Sequence, residues 1–141
     1  MPRIVSVGTA VPPNLVTQED ARELTRKIFG EAFDNLDSLL KVFDHAQVHT
    51  RYSAATPDWF AETHSFPERN KHYITSALDL SSAAIEDCLS RAALSPEDID
   101  HLIFVSTTGI ATPSIDALLI DRLSLNPHVV RTPIWGLGCA G

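Results

Sequence analysis

The sequence predicts an α/β fold with a largely parallel sheet, and three observations carry that expectation. β-rich runs at Arg3–Thr9, His101–Ser106 and Val129–Trp135 alternate with helical stretches. The last two runs flank a helix, as in a βαβ crossover, which makes them parallel neighbours. A glycine-rich turn, Gly136-Leu137-Gly138-Cys139-Ala140-Gly141, leaves the last run. Ligands gather at this end of the strands in open α/β sheets.

Each element has a local signature. Arg3–Thr9 reads as a strand, and Pro12-Pro13-Asn14 as the turn after it. Thr17, with Asp20 three residues on, opens a helix carrying Ala21, Leu24 and Ile28 on one face. A second helix is expected from Asn35 to Phe43, because Leu36, Leu39, Leu40 and Phe43 recur at helical spacing. Val48 to Tyr52 reads as extended. Ser53 to His72 shows little periodicity and reads as an irregular surface excursion. Tyr73–Leu94 is the clearest helix, with Ile74, Ala77, Leu78, Ile85, Cys88 and Leu89 on one stripe. Ser95-Pro96-Glu97-Asp98 starts a short helical turn. His101–Ser106 is apolar enough for a strand covered on both faces. Thr107–Pro113 is a polar loop, Ser114–Leu123 a helix, and Val129–Trp135 the last strand.

Composition narrows the function. The chain of 141 residues is long enough for one domain with a real core. Its net charge of −7 argues against a phosphate-backbone binder, which needs a basic face. Two cysteines, Cys88 and Cys139, do not make a disulfide framework. The N-terminus has no signal-peptide pattern, and no apolar run approaches the roughly 18 residues of a membrane helix. A soluble, reduced, cytoplasmic protein is expected.

Cys139 is the sharpest chemical signal. It follows a strand and has glycine on either side of the Cys139-Ala140 pair. That pattern suits a tight nucleophile turn open to substrate. A helix starting there would favour thiolate. The plainer reading is a small cysteine in a glycine-rich turn. Cys88 lies on an apolar stripe and reads as a small hydrophobe. His45 and His49 are four apart, but no second ligand pair follows, so no metal is expected. Arg22, Arg26 and Lys27 read as a solvated face. Lys41 and Arg51 flank the second helix and the next strand, where cations can hold phosphates.

With Cys139 placed, Arg131-Thr132-Pro133-Ile134-Trp135-Gly136-Leu137-Gly138-Cys139-Ala140-Gly141 resembles the nucleophile segment of bacterial type III polyketide synthases, the chalcone and stilbene synthase family. Val105-Ser106-Thr107-Thr108-Gly109-Ile110-Ala111-Thr112-Pro113-Ser114-Ile115-Asp116 resembles that family's preceding loop. Ile4 to Pro12 and Val48 to Tyr52 resemble it too. The resemblance implies a thiolase-like αβαβα fold, of which residues 1–141 are the N-terminal half, ending two residues after Cys139. It implies a homodimer, acyl-CoA and malonyl-CoA as substrates, and no cofactor beyond CoA thioesters. Cys139 would carry the acyl group within a Cys-His-Asn set whose His and Asn match nothing here. Thr107, Thr108 and Thr112 match cavity-lining positions; plant members usually have methionine where Thr112 stands. Lys41 matches a CoA-binding cation, while Ser38 and His45 stand at two other such positions. Arg51 is expected at the CoA site with Lys41.

Other readings remain at this level. Ketoacyl synthase III shares the fold and an Arg near the position of Arg51; the Ile134–Gly138 run favours the polyketide side. A non-catalytic interaction module would merely retain Cys139. A cysteine hydrolase would transfer one acyl group to water without malonyl-CoA.

Overall fold

The computed structural model describes residues 1–140. Gly141, the last residue of the expected glycine turn, lies outside them. The chain forms two compact units, residues 11–64 and residues 1–10 with 65–140.

In the 11–64 unit, β1 (Asn14–Thr17) leads directly into α1 (Gln18–Phe29), followed by α2 (Leu36–His45), β2 (Thr50–Ser53) and α3 (Pro57–Ala61). β1 and β2 pair antiparallel, from Asn14↔Ser53 to Thr17↔Thr50. Thr17 caps α1 as its sequence predicts. Its hydroxyl accepts from Asp20 N–H, and the Asp20 carboxylate accepts from Thr17 N–H. These bonds satisfy backbone donors that a helix start leaves open. Leu40 is buried from α2, but Leu39 is half exposed, so the apolar stripe there is narrower than its spacing suggests. A cavity of about 580 Å³ opens beside Leu24, Ile28, Phe29, Phe43 and Phe60.

The other unit holds α4 (Phe66–Ala92), a 3-10 turn at Pro96–Asp98, β3 (His101–Ser106), α5 (Ile115–Leu123) and β4 (Val130–Trp135). β3 and β4 pair in parallel, from His101↔Val130 to Ser106↔Trp135. α5 is the crossover and packs on both strands and on α4. Its Ile115 and Leu119 are almost fully buried.

Three expectations need correction. Arg3–Thr9 joins no ladder; among the described residues the N-terminal strand is β1, which begins at Asn14, the last residue of the expected turn. Arg3–Thr9 instead follows α4 through polar contacts. Ser6 Oγ–H donates to Cys88 O at 2.8 Å, and Thr9 N–H to the Asp87 carboxylate at 3.1 Å. The segment 53–72 is not irregular, because it contains α3 and the first turns of α4. Ser65 caps α4, with Glu68 accepting back from Ser65 N–H at 2.7 Å. Finally, among the described residues β3 is covered on one face only. Leu102, Phe104 and Ser106 are half-buried, whereas His101, Ile103 and Val105 are exposed.

The main buried charge ties α5 to β4. Asp116 is fully buried, and its Oδ2 accepts from Arg131 at 2.9 Å. Arg131 also reaches Ser114 Oγ at 3.5 Å. Arg131→Ala strands a buried carboxylate, which is costly; because Arg131 is itself partly exposed, we expect a loss of about 2–3 kcal/mol. Arg22 is half-buried, but its partners Asp44 and Glu19 are exposed, so Arg22→Ala strands no buried charge and should cost less, about 1 kcal/mol. Urea unfolding of both variants checks the order, and equal losses would contradict it.

Three carboxylates are held below their ordinary range by hydrogen bonds. Asp20 is lowered by Thr17, chiefly its side chain. Asp87 is lowered by Arg91 and then by Thr9 N–H. Asp98 is lowered by the backbone and side chain of Ser95. A carboxylate depressed in the folded state stabilises it above the unfolded pKa of about 3.9; that contribution is lost as pH falls through the lower folded value. The thermal midpoint should therefore drop as pH falls below about 4, and less steeply when all three are Asn. An equal slope in the Asn variant would refute this.

Candidate functional site

The parallel register sets the site. Ser106 and Trp135 are ladder partners and the last residues of their strands. The loop 107–113 and the turn 136–140 therefore leave the sheet side by side.

In the turn, Gly136 has φ +83° and Gly138 φ +58°. Side chains rarely adopt such values, although open space surrounds both positions. Backbone angle, not crowding, thus requires glycine here. Gly138–Ala140 makes one 3-10 turn, and Ala140 N–H donates to Leu137 O at 3.1 Å. Cys139 sits in it, exposed and free. Cys88 differs, being half-buried with its sulfur 3.1 Å from Ser6 Oγ. The sequence reading missed this Ser6 contact, which bridges residues 82 apart.

The loop is anchored from below by α4. Asn70 clasps Ile110, donating to its O at 2.8 Å and accepting from its N–H at 2.9 Å. Tyr73 OH lies 2.6 Å from Ser106 Oγ. Gly109 lies so close to Tyr73 that an added Cβ would be 2.1 Å from its ring. Above, the Trp135 indole N–H donates to Gly109 O at 2.8 Å. A largely apolar cavity of about 190 Å³ lies among Tyr73, Phe104, Ser106, Ile115 and Trp135. Thr107, Thr108 and Thr112 are all exposed on this loop.

Lys41 and Arg51 belong to the 11–64 unit. Lys41 is exposed on α2, where Ser38, Lys41 and His45 share one face by their three- and four-residue spacing. Arg51, on β2, donates to Gln18 Oε1 and stacks over Phe43, 5.8 Å from the ring centre. Its planar fork is thus partly engaged within the protein. Arg22 and Arg26 pair with acidic neighbours; Arg26 is exposed, whereas Arg22 is half-buried. Among the described residues no three His, Cys, Asp or Glu side chains converge as a metal site. No helix of the described residues is long and apolar enough to cross a membrane.

The arrangement is that of the N-terminal half of a thiolase-like αβαβα fold. Residues 2–141 match the family model of chalcone and stilbene synthases, N-terminal domain, and the chain belongs to that family. It is 43% identical over 143 residues to a Bacillus subtilis (strain 168) protein named "Putative chalcone synthase", an alignment covering 98% of this chain and 39% of that one. It is 35% identical to a 1,3,6,8-tetrahydroxynaphthalene synthase of Streptomyces peucetius subsp. caesius, over 98% and 37% of the two chains. The crystal structure of the corresponding Streptomyces coelicolor A3(2) enzyme, a bacterial type III polyketide synthase, superposes with a TM-score of 0.83 at 29% identity, over 92% and 38%. A fungal type III polyketide synthase, ORAS, shares the fold at a TM-score of 0.86 and 20% identity, over 98% and 37%. The chain thus spans about two-fifths of the length of these relatives.

The contrast between the two thiols yields a test. Iodoacetamide at neutral pH should label Cys139 first, because it is exposed and Cys88 is half-buried against Ser6. Peptide mass mapping reads the order, and earlier labelling of Cys88 would contradict it.

Proposed function

We propose that this chain supplies the nucleophile half of a type III polyketide synthase. One observation carries the reading: an exposed cysteine on a left-handed glycine turn at the end of a parallel strand, beside an anchored threonine-bearing loop. Family membership supports it. In this reading residues 1–141 form the N-terminal domain, and the His and Asn of a Cys-His-Asn set come from outside them.

The chemistry follows from a thiolate at Cys139. Sγ attacks the thioester carbonyl of an acyl-CoA starter, forming a new thioester as the CoA thiolate leaves and takes a proton. Malonyl-CoA then loses CO₂, and the resulting carbanion attacks the Cys139-bound carbonyl. A carbon–carbon bond forms and Sγ leaves. Repeated extension and cyclisation give a pyrone, resorcinol or chalcone-type product. His and Asn stabilise the developing enolate by hydrogen bonds aimed at its oxygen. CoA thioesters are the only small molecules this requires.

Thr107, Thr108 and Thr112, which are exposed and not among the residues lining the 190 Å³ cavity, line the starter cavity of the full-length enzyme in this proposal. Thr112 is smaller than the methionine usual in plant members and leaves room for a long or bulky starter. Lys41 and Arg51 meet the CoA phosphates, Arg51 with the donors that Gln18 leaves free. The working enzyme is a homodimer.

The test uses the full-length protein with a panel of acyl-CoA starters and labelled malonyl-CoA, read by mass spectrometry. Cyclised products with long-chain starters are expected, with loss of product in Cys139→Ala by several orders of magnitude. Single acyl transfer to water without malonyl incorporation would favour a hydrolase. Residues 1–141 alone are expected to show no multiple turnover under the same conditions. Turnover by them, absent in their Cys139→Ala form, would refute the need for further residues.

A further inference from the structure

We propose that Trp135 is a positioning residue, whose indole N–H fixes the loop carrying Thr107 and Thr108 against the turn carrying Cys139. The inference rests on the proposed function for the roles of those three residues. The link itself is geometric.

Ser106 and Trp135 are ladder partners at the ends of β3 and β4. The chain leaves Ser106, passes Thr107 and Thr108, and reaches Gly109. Gly109 O then accepts from Trp135 Nε1 at 2.8 Å. The indole thus closes a circuit that contains only Thr107 and Thr108 between its two fixed points. The loop's other anchors, Asn70 and Tyr73, come from α4 and hold its underside. Trp135 joins it to the strand that leads into Cys139.

Packing among the described residues accounts for only part of this tryptophan. Its relative exposure there is 61%. Indole has one polar atom, which is a donor only, and here it is committed to the loop. After Trp135 come Gly136, Leu137 and Gly138, two of them in left-handed geometry, and then Cys139. Trp135 is the last ladder residue of β4; Gly136 N–H, donating to Ser106 O at 3.3 Å, still ties the start of the turn to β3, so loss of the indole bond falls chiefly on the loop.

The test compares wild type with Trp135→Phe, which keeps a ring and loses the donor. Loss of one hydrogen bond should speed amide exchange at 107–110 about fivefold, with α4 peptides unchanged. In the full-length protein, acyl loading of Cys139 from acyl-CoA should fall on the order of tenfold, as small misplacements at a reacting centre do. Alkylation by iodoacetamide, which does not use the loop, should hold steady. Unchanged exchange at 107–110 would overturn the proposal. So would loading and alkylation falling together, which marks general damage. A wild-type protein that never loads acyl-CoA would refute the proposed function instead, while the exchange result would still decide the link. Should Trp135→Phe not fold, the wild-type indole proton decides: protection from solvent exchange supports the bond, and exchange at the rate of a free indole overturns it.

Discussion

The parallel pairing of β3 with β4 is the constraint on which the site depends. It brings Ser106 and Trp135, residues 29 apart in the ladder's numbering, to one level of the sheet. Both strands end there, so two separate segments start from one line. One is a polar loop and the other a glycine turn with an exposed cysteine. Antiparallel pairing would have sent these segments to opposite edges. A one-residue slip would have turned Phe104 outward and its exposed neighbours inward.

That register needs support, because two strands alone are marginal. α5 supplies it from one side, with Ile115 and Leu119 buried against the strands. Asp116 adds direction. Buried at the start of α5, it holds Arg131 of β4 and so resists sliding of helix against strand. A buried pair of this kind is weak evidence for net stability. Its geometric effect is clearer, since the 2.9 Å bond from Arg131 to Asp116 Oδ2 ties one point of α5 to one point of β4, with Asp116 Oδ1 left without a hydrogen-bond partner. The opposite sheet face keeps Ile103, Val105 and Val130 exposed.

What could be read from the sequence was local. Thr17 and Asp20 are three residues apart and announce the α1 cap by themselves. Ser65 and Glu68 announce α4 equally well, yet the region lacks apolar periodicity, and periodicity was the stronger guide there. Helix ends were harder. The end of α5 at Leu123 matches the reading, but α4 ends at Ala92 rather than Leu94, where Ala93 takes a left-handed angle without being glycine, so no residue type marks that stop. Arg3–Thr9 is β-rich like a strand, but a strand needs a partner, and pairing is not a local property. Likewise an apolar run cannot tell which of its faces is covered. At the site, Gly136, Gly138 and Cys139 were legible because glycine spacing encodes backbone angle. The bond from Trp135 to Gly109 spans 26 residues, and that from Arg131 to Asp116 spans 15. Neither residue type nor spacing predicts such contacts; the fold creates them.

The central claim is that Cys139 accepts an acyl group. The direct measurement is to incubate the full-length protein with an acyl-CoA and no malonyl-CoA, quench with acid, digest, and weigh the peptides. The account predicts that the peptide containing Cys139 gains the mass of the acyl group, that the peptide containing Cys88 does not, and that neutral hydroxylamine removes the gain as it would from a thioester. An acyl group on Cys88 or on no cysteine, with CoA released all the same, would contradict it.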